Sequence, residues 1–122
     1  MLELTIQGHL EVAHFMPNFP EGHPNRRLHG HSYFVTVTLR SETEVDVVED
    51  YDVFKEKLDL VLKKYDHTSC NDWKMPTEKP TMENMCVFLW KEIKEVLPKL
   101  SRITLERPTL KMTVSYEGPA SI

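Results

Sequence analysis

Leu2, Leu4, Ile6, Leu10, Val12 and His14 share one parity of the first fourteen residues, while Glu3, Thr5, Gln7, His9 and Glu11 share the other. A period of two reads as a half-buried strand, with Gly8 as the place for a bend. Residues 17–24 (PNFPEGHP) hold three prolines and a glycine and read as a loop. A second alternating run from Leu28 to Arg40 sets His29, His31, Tyr33, Val35, Val37 and Leu39 against Ser32, Thr36, Thr38 and Arg40. Its β-branched content supports a strand, and the acidic stretch 41–49 ends it in a turn.

The period then changes. Tyr51, Phe54, Leu58, Val61, Leu62 and Tyr65 recur every three or four residues, an amphipathic helix with Asp50 or Asp52 as N-cap. A polar connection over residues 66–80 leads to a second helix near Thr81, a capping residue, with Glu83 in its positive first turn. Met85, Leu89, Ile93 and Val96 form its apolar stripe, and Pro98 helps stop it. Two short strands, Arg102 to Glu106 and Leu110 to Tyr116, close the chain around Pro108. The order β-β-α-α-β-β predicts a single α+β domain over residues 1–122: an antiparallel four-stranded sheet with two helices on one face.

Composition narrows the function classes. The chain is 40% hydrophobic and 28% charged, ordinary for a globular protein. The net charge of −4 lacks the basic excess of a nucleic-acid binder, although a small phosphorylated ligand needs only a few cations. No apolar run reaches the length of a membrane span, and no secretory signal is visible, so a cytoplasmic protein is expected. Cys70 and Cys86 suggest reduced thiols rather than a disulfide framework or zinc ribbon.

Three histidines carry the chemistry. His29 and His31 flank Gly30, so on a strand both rings leave the same face, about 7 Å apart. His14 ends the preceding strand on its apolar face. If the two strands pair across the Pro-rich loop, all three rings converge, with Gly30 allowing close approach to the backbone. Three neutral imidazoles suit Zn2+, with a fourth position left for water or substrate. A lone His-x-His is common on solvated strands. Here the histidines lie on apolar faces, where unpaired imidazoles would be costly.

Other residues could join such a site. Asp66 can orient His67 for proton transfer, or the two can form an ordinary C-cap pair. Glu106 lies on the parity opposite Ile103 and Leu105, where it could grip an amidine-like edge through two hydrogen bonds or remain a solvated strand end. Arg26 and Arg27 could meet phosphate or stay solvated. His9 and His23 read as surface residues, and the Met and Trp residues of the second helix as core or subunit contacts.

Taken together, Ala13-His14-Phe15, EGH (21–23), RLHGHSY (27–33), Asp50-Tyr51, Asp66-His67, PTMEN (80–84) and Leu105-Glu106 resemble the 6-pyruvoyltetrahydropterin synthase and 6-carboxytetrahydropterin synthase family over nearly the whole chain. LHGH with PTxEN at this separation is the specific part. The resemblance implies a tunnelling fold assembled as trimers that stack into hexamers, and 7,8-dihydroneopterin triphosphate as substrate. It also implies zinc on His14, His29 and His31, the pterin ring on Glu106, and proton transfer assisted by Asp66-His67. Triphosphate then leaves, and the carboxy-forming branch, on the route to queuosine, also releases acetaldehyde.

One position departs from the family. Its usual catalytic cysteine, four residues before the first histidine of LHGH, is here Asn25, a carboxamide that cannot take up a proton at neutral pH. His67, zinc-bound hydroxide and Glu21 are the candidate substitutes. Three readings follow: a zinc-dependent pterin lyase most like 6-carboxytetrahydropterin synthase, a homologue with altered pterin side-chain chemistry, and a non-catalytic pterin- or metal-binding homologue.

Overall fold

The computed structural model describes residues 1–120. Strands β1 (Leu2–His14) and β2 (His29–Ser41) pair antiparallel without interruption, from Leu2 opposite Ser41 to His14 opposite His29. No bulge interrupts the ladder at Gly8. Gly8 serves packing instead, because a Cβ there would sit 2.4 Å from Leu62 Cδ1.

Helix α1 (Tyr51–Tyr65) starts where Asp50 accepts a hydrogen bond from the Val53 amide at 3.1 Å. Helix α2 (Met82–Val96) starts where the Thr81 hydroxyl accepts from the Asn84 amide at 3.2 Å. Cys86 and Trp90 join Met85, Leu89 and Ile93 in a stripe wider than predicted, while Tyr51 and Val96 are exposed.

The sheet has five strands rather than four, in the order β3-β1-β2-β4-β5. The extra member, β3 (Thr68–Ser69), runs parallel to β1 at the sheet edge. Two residues are too short to show alternation, and tertiary bonds to β1 hold them there. Strand β4 (Leu100–Arg107) begins earlier than predicted, and β5 (Met112–Tyr116) later. Leu110 falls in a 3-10 turn and is exposed, because Lys111 takes a left-handed conformation (φ 52°) that starts β5 one residue on.

Both helices cover one sheet face. Leu10, Val12, Tyr33, Val35, Ile103 and Leu105 meet Phe54, Leu58, Leu89 and Ile93 in one buried cluster. The reverse face is polar: Thr5 bonds Thr38 at 2.9 Å, Gln7 bonds Thr36 at 3.2 Å, and Ser32 donates to Glu11 at 2.7 Å. Among the described residues, no helix is long and apolar enough to cross a membrane.

Candidate metal centre

His14 and His29 face each other at the last register position of the β1–β2 ladder, and His31 lies one row inward, opposite Val12. The three ring centroids are 4.5–5.0 Å apart, and one nitrogen from each ring falls within 4.8 Å of the others.

Hydrogen bonds set the tautomers of two rings. His14 Nδ1 donates to the Pro80 carbonyl at 2.9 Å, and His29 Nδ1 donates to the Arg27 carbonyl at 2.6 Å. With Nδ1 as the donor, the neutral form of each ring keeps its lone pair on Nε2, and these two atoms stand 3.0 Å apart. Two facing lone pairs repel unless a cation lies between them. Burial holds the His14 pKa below its usual value against the Pro80 bond, which disfavours a proton in that role. Burial, the nearby Arg107 charge and the neighbouring rings push His31 down to about 4, so it is neutral at physiological pH. Two nitrogens on a tetrahedral zinc, each at about 2.0–2.1 Å, lie about 3.4 Å apart, so the pair needs only a small outward movement to fit. The donor set therefore suits zinc.

The PTMEN segment explains why His14 is so placed. Thr81 caps α2, and Asn84 Nδ2 donates to the Lys79 carbonyl at 2.8 Å, so the turn presenting the Pro80 carbonyl is pinned at both ends. Holding the ring by its non-ligating nitrogen is the usual way a protein aims a metal-binding histidine.

The other predicted residues are distributed differently. Asp66 caps the end of α1, and its Oδ1 accepts from the Glu11 amide at 2.7 Å while Oδ2 accepts from His67 Nδ1 at 2.6 Å. The Glu11 bond is the main reason the Asp66 carboxyl stays below the ordinary range. His67 has φ 61°, unusual for a residue with a Cβ, and is held there as its amide donates to the Glu11 carbonyl at 2.7 Å. It leaves an exposed Nε2 on a cleft of about 410 Å3, within the range of small-molecule sites. That cleft is also lined by Glu11, Ala13, Gly30, His31 and Ser32, so it includes one of the three histidines.

Glu106 stands opposite Phe34, and Leu105 opposite Val35. Leu105 enters the core, so Glu106 projects from the polar face, on the reverse side of the sheet from the histidines. Within one chain, the metal cluster on one face does not meet Glu106 on the other.

Arg26 clasps the Pro-rich loop, its Nη1 donating to the carbonyls of Phe19 at 2.9 Å and Pro17 at 3.2 Å. The exposed Arg27 contributes its carbonyl to His29. The close approach expected at Gly30 is not forced: a Cβ there would meet only the Val12 carbonyl at 3.6 Å, an ordinary contact. Asn25 is exposed in a 3-10 turn (Pro24–Arg26) that the His23 ring caps from its Nδ1. No thiol takes the place of the missing cysteine. Cys70 and Cys86 are buried and free, and burial pushes their pKa values up to about 12 and about 11.

Arg107 had escaped notice in the sequence. The parity that carries Ile103 and Leu105 into the core runs on to Arg107, and its charge reaches His14, His31 and Tyr33. Its Nε is buried without a hydrogen-bond partner among the described residues. A buried donor left unpaired typically costs about 1–3 kcal/mol.

Comparison with known proteins agrees with this geometry. The profile of the family described as 6-pyruvoyl tetrahydropterin synthase matches residues 3–119. A Bacillus subtilis 6-carboxy-5,6,7,8-tetrahydropterin synthase is 29% identical over 126 residues, covering 98% of this chain and 81% of its own. A Pyrococcus furiosus dihydroneopterin monophosphate aldolase is 32% identical over 81 residues, covering 64% of this chain and 68% of its own. In three dimensions, a Caenorhabditis elegans 6-pyruvoyl tetrahydropterin synthase superposes with a TM-score of 0.82 at 23% identity, covering 97% of this chain and 96% of its own. The histidine-bearing hairpin, the two helices and the profile match over nearly the full length place this chain in the 6-pyruvoyl tetrahydropterin synthase family of pterin-processing proteins.

Proposed function

We propose that this protein is a zinc-dependent lyase acting on 7,8-dihydroneopterin triphosphate, most like 6-carboxytetrahydropterin synthase. The observation that carries the reading is the paired Nε2 atoms of His14 and His29, each freed for a metal by an Nδ1 bond to a carbonyl. A bound zinc would supply Lewis-acid polarisation of the substrate side-chain oxygens. Asp66 orients His67, whose exposed Nε2 is free to move a proton. Glu106 offers a carboxylate to the amidine-like edge of the pterin ring, and Arg27 a cation at the mouth of the loop. Because Glu106 projects from the sheet face away from the histidines, we assign the working unit to a homo-oligomer, a trimer or hexamer, in which neighbouring copies complete each site.

A second reading has its own support. With Asn25 in place of the cysteine and both thiols buried, no thiolate is available as a carbon base. Carbon–carbon cleavage of the side chain starts instead from a hydroxyl proton, and the relative from Pyrococcus furiosus is named as an aldolase.

The test is incubation of zinc-loaded protein with 7,8-dihydroneopterin triphosphate and, separately, the monophosphate, with products identified by mass spectrometry. 6-Carboxytetrahydropterin with acetaldehyde and triphosphate is the expected result. A hydroxymethyl pterin with a two-carbon phosphorylated aldehyde would transfer the assignment to aldol cleavage. Unchanged substrate, with zinc verified in place, would leave a binding homologue. Asn25→Cys separates the readings further: a restored base is typically worth about 10²–10⁴-fold, and a gain of that order in triphosphate elimination marks a lapsed synthase.

A further inference from the structure

We propose that Arg107 is the phosphate-binding residue of the histidine site, its guanidinium receiving a phosphoryl group of the ligand on the same sheet face as His14, His29 and His31. The assignment rests on the proposed phosphorylated pterin substrate for its biological ligand, but its geometry stands separately. Arg107 is the last residue of β4, one position beyond the Glu106–Phe34 pair. Leu105 and Ile103, its same-parity neighbours, are fully buried against the core. Its side chain therefore leaves β4 on the helix-covered face, the face that also carries Tyr33 and His31, and its charge is felt at both.

Two observations set Arg107 apart from a structural arginine. Its Nε is the buried side-chain polar atom without a hydrogen-bond partner among the described residues, and none of the ion pairs there includes it. By contrast, Arg26 spends its donors on loop carbonyls, and Arg40 and Arg102 face Glu42 and Glu3. A guanidinium whose Nε has no partner among the described residues, on the sheet face of the three imidazoles, creates a site of positive potential, which a bound divalent metal would raise further. A phosphoryl group satisfies it: its oxygens accept in parallel from the planar fork of an arginine. The neighbouring Glu106 cannot neutralise Arg107, because it projects from the reverse face.

The test uses the zinc-loaded full chain and its Arg107→Gln and Arg107→Lys variants, with metal content confirmed by elemental analysis. The first probe is inorganic phosphate, titrated by calorimetry. The parent is expected to bind it, Arg107→Gln to weaken binding at least tenfold, and Arg107→Lys to recover part of the loss. Equal phosphate affinity in parent and Arg107→Gln, or no binding by the parent, overturns the proposal. The second probe compares 7,8-dihydroneopterin with its monophosphate. Arg107→Gln should lose affinity for the monophosphate while keeping that for the uncharged compound. An equal loss for both overturns the assignment by showing a merely structural role. If the parent binds phosphate through Arg107 but neither pterin, the substrate reading fails while the phosphate site stands.

Discussion

His14 and His31 show how burial prepares a side chain for a metal. Both pKa values are depressed, that of His31 to about 4, with desolvation the largest cause. The sign of the resulting pH dependence follows from linkage. In metal-free protein below about pH 6.5 the unfolded chain holds a proton on each of these histidines that the folded chain resists, His31 doing so down to about pH 4. Stability is therefore full above about pH 6.5 and declines as the pH falls toward about 4. Denaturant melts of metal-free protein over this window should show the slope, and His31→Gln should flatten it. A His31→Gln profile parallel to the parent would discard the assignment. Arg107 shows the limit of reading one residue at a time: a charged residue following Glu106 looks like a solvated strand end, and only the parity it shares with Leu105 points inward.

At the scale of elements, the start of α2 governs the metal centre. Thr81 caps the helix, Asn84 pins the preceding turn, and the Pro80 carbonyl between them holds His14. A cap of this kind is worth about 1 kcal/mol. Thr81→Ala is expected to lower stability by about that amount and to weaken zinc retention as well, because the Pro80 carbonyl loses its anchor. Paired denaturant melts and chelator competition measure the two effects. Loss of stability with zinc affinity unchanged would show that the turn holds its shape without the cap. The pairing of β1 with β2 is as consequential, since a slip of one residue would leave His14 on the opposite sheet face from His29 and His31.

At the scale of the whole molecule, the sheet divides the candidate site. The histidines and Arg107 lie on the helix-covered face, whereas Glu106 lies on the opposite, polar face. A site shared between copies predicts complementation. Co-expressed His29→Ala and Glu106→Gln chains should regain activity that neither homo-oligomer shows, because some mixed assemblies hold one intact site. Mixed assemblies as inactive as the two parents would confine the site to a single chain.

The sequence by itself determined much of this protein. Alternation over residues 2–14 and 28–40 placed the three histidines on apolar faces, and a run of period-3.6 residues marked each helix, because side-chain direction on a regular element depends on local spacing alone. The parity of Glu106 against Leu105 was equally legible. Other features needed distant partners. Strand β3 exists because Asp66 and His67 bond the backbone of Glu11, fifty-five residues away for the carboxylate. Gly8 is small because Leu62 packs on it rather than because a bulge interrupts β1. Tertiary structure alone decided that Pro80 would orient His14, that the Arg107 Nε would find no partner among the described residues, and that no thiol would be exposed. Those are properties of what surrounds a side chain, and local spacing carries no record of surroundings assembled from remote parts of the chain.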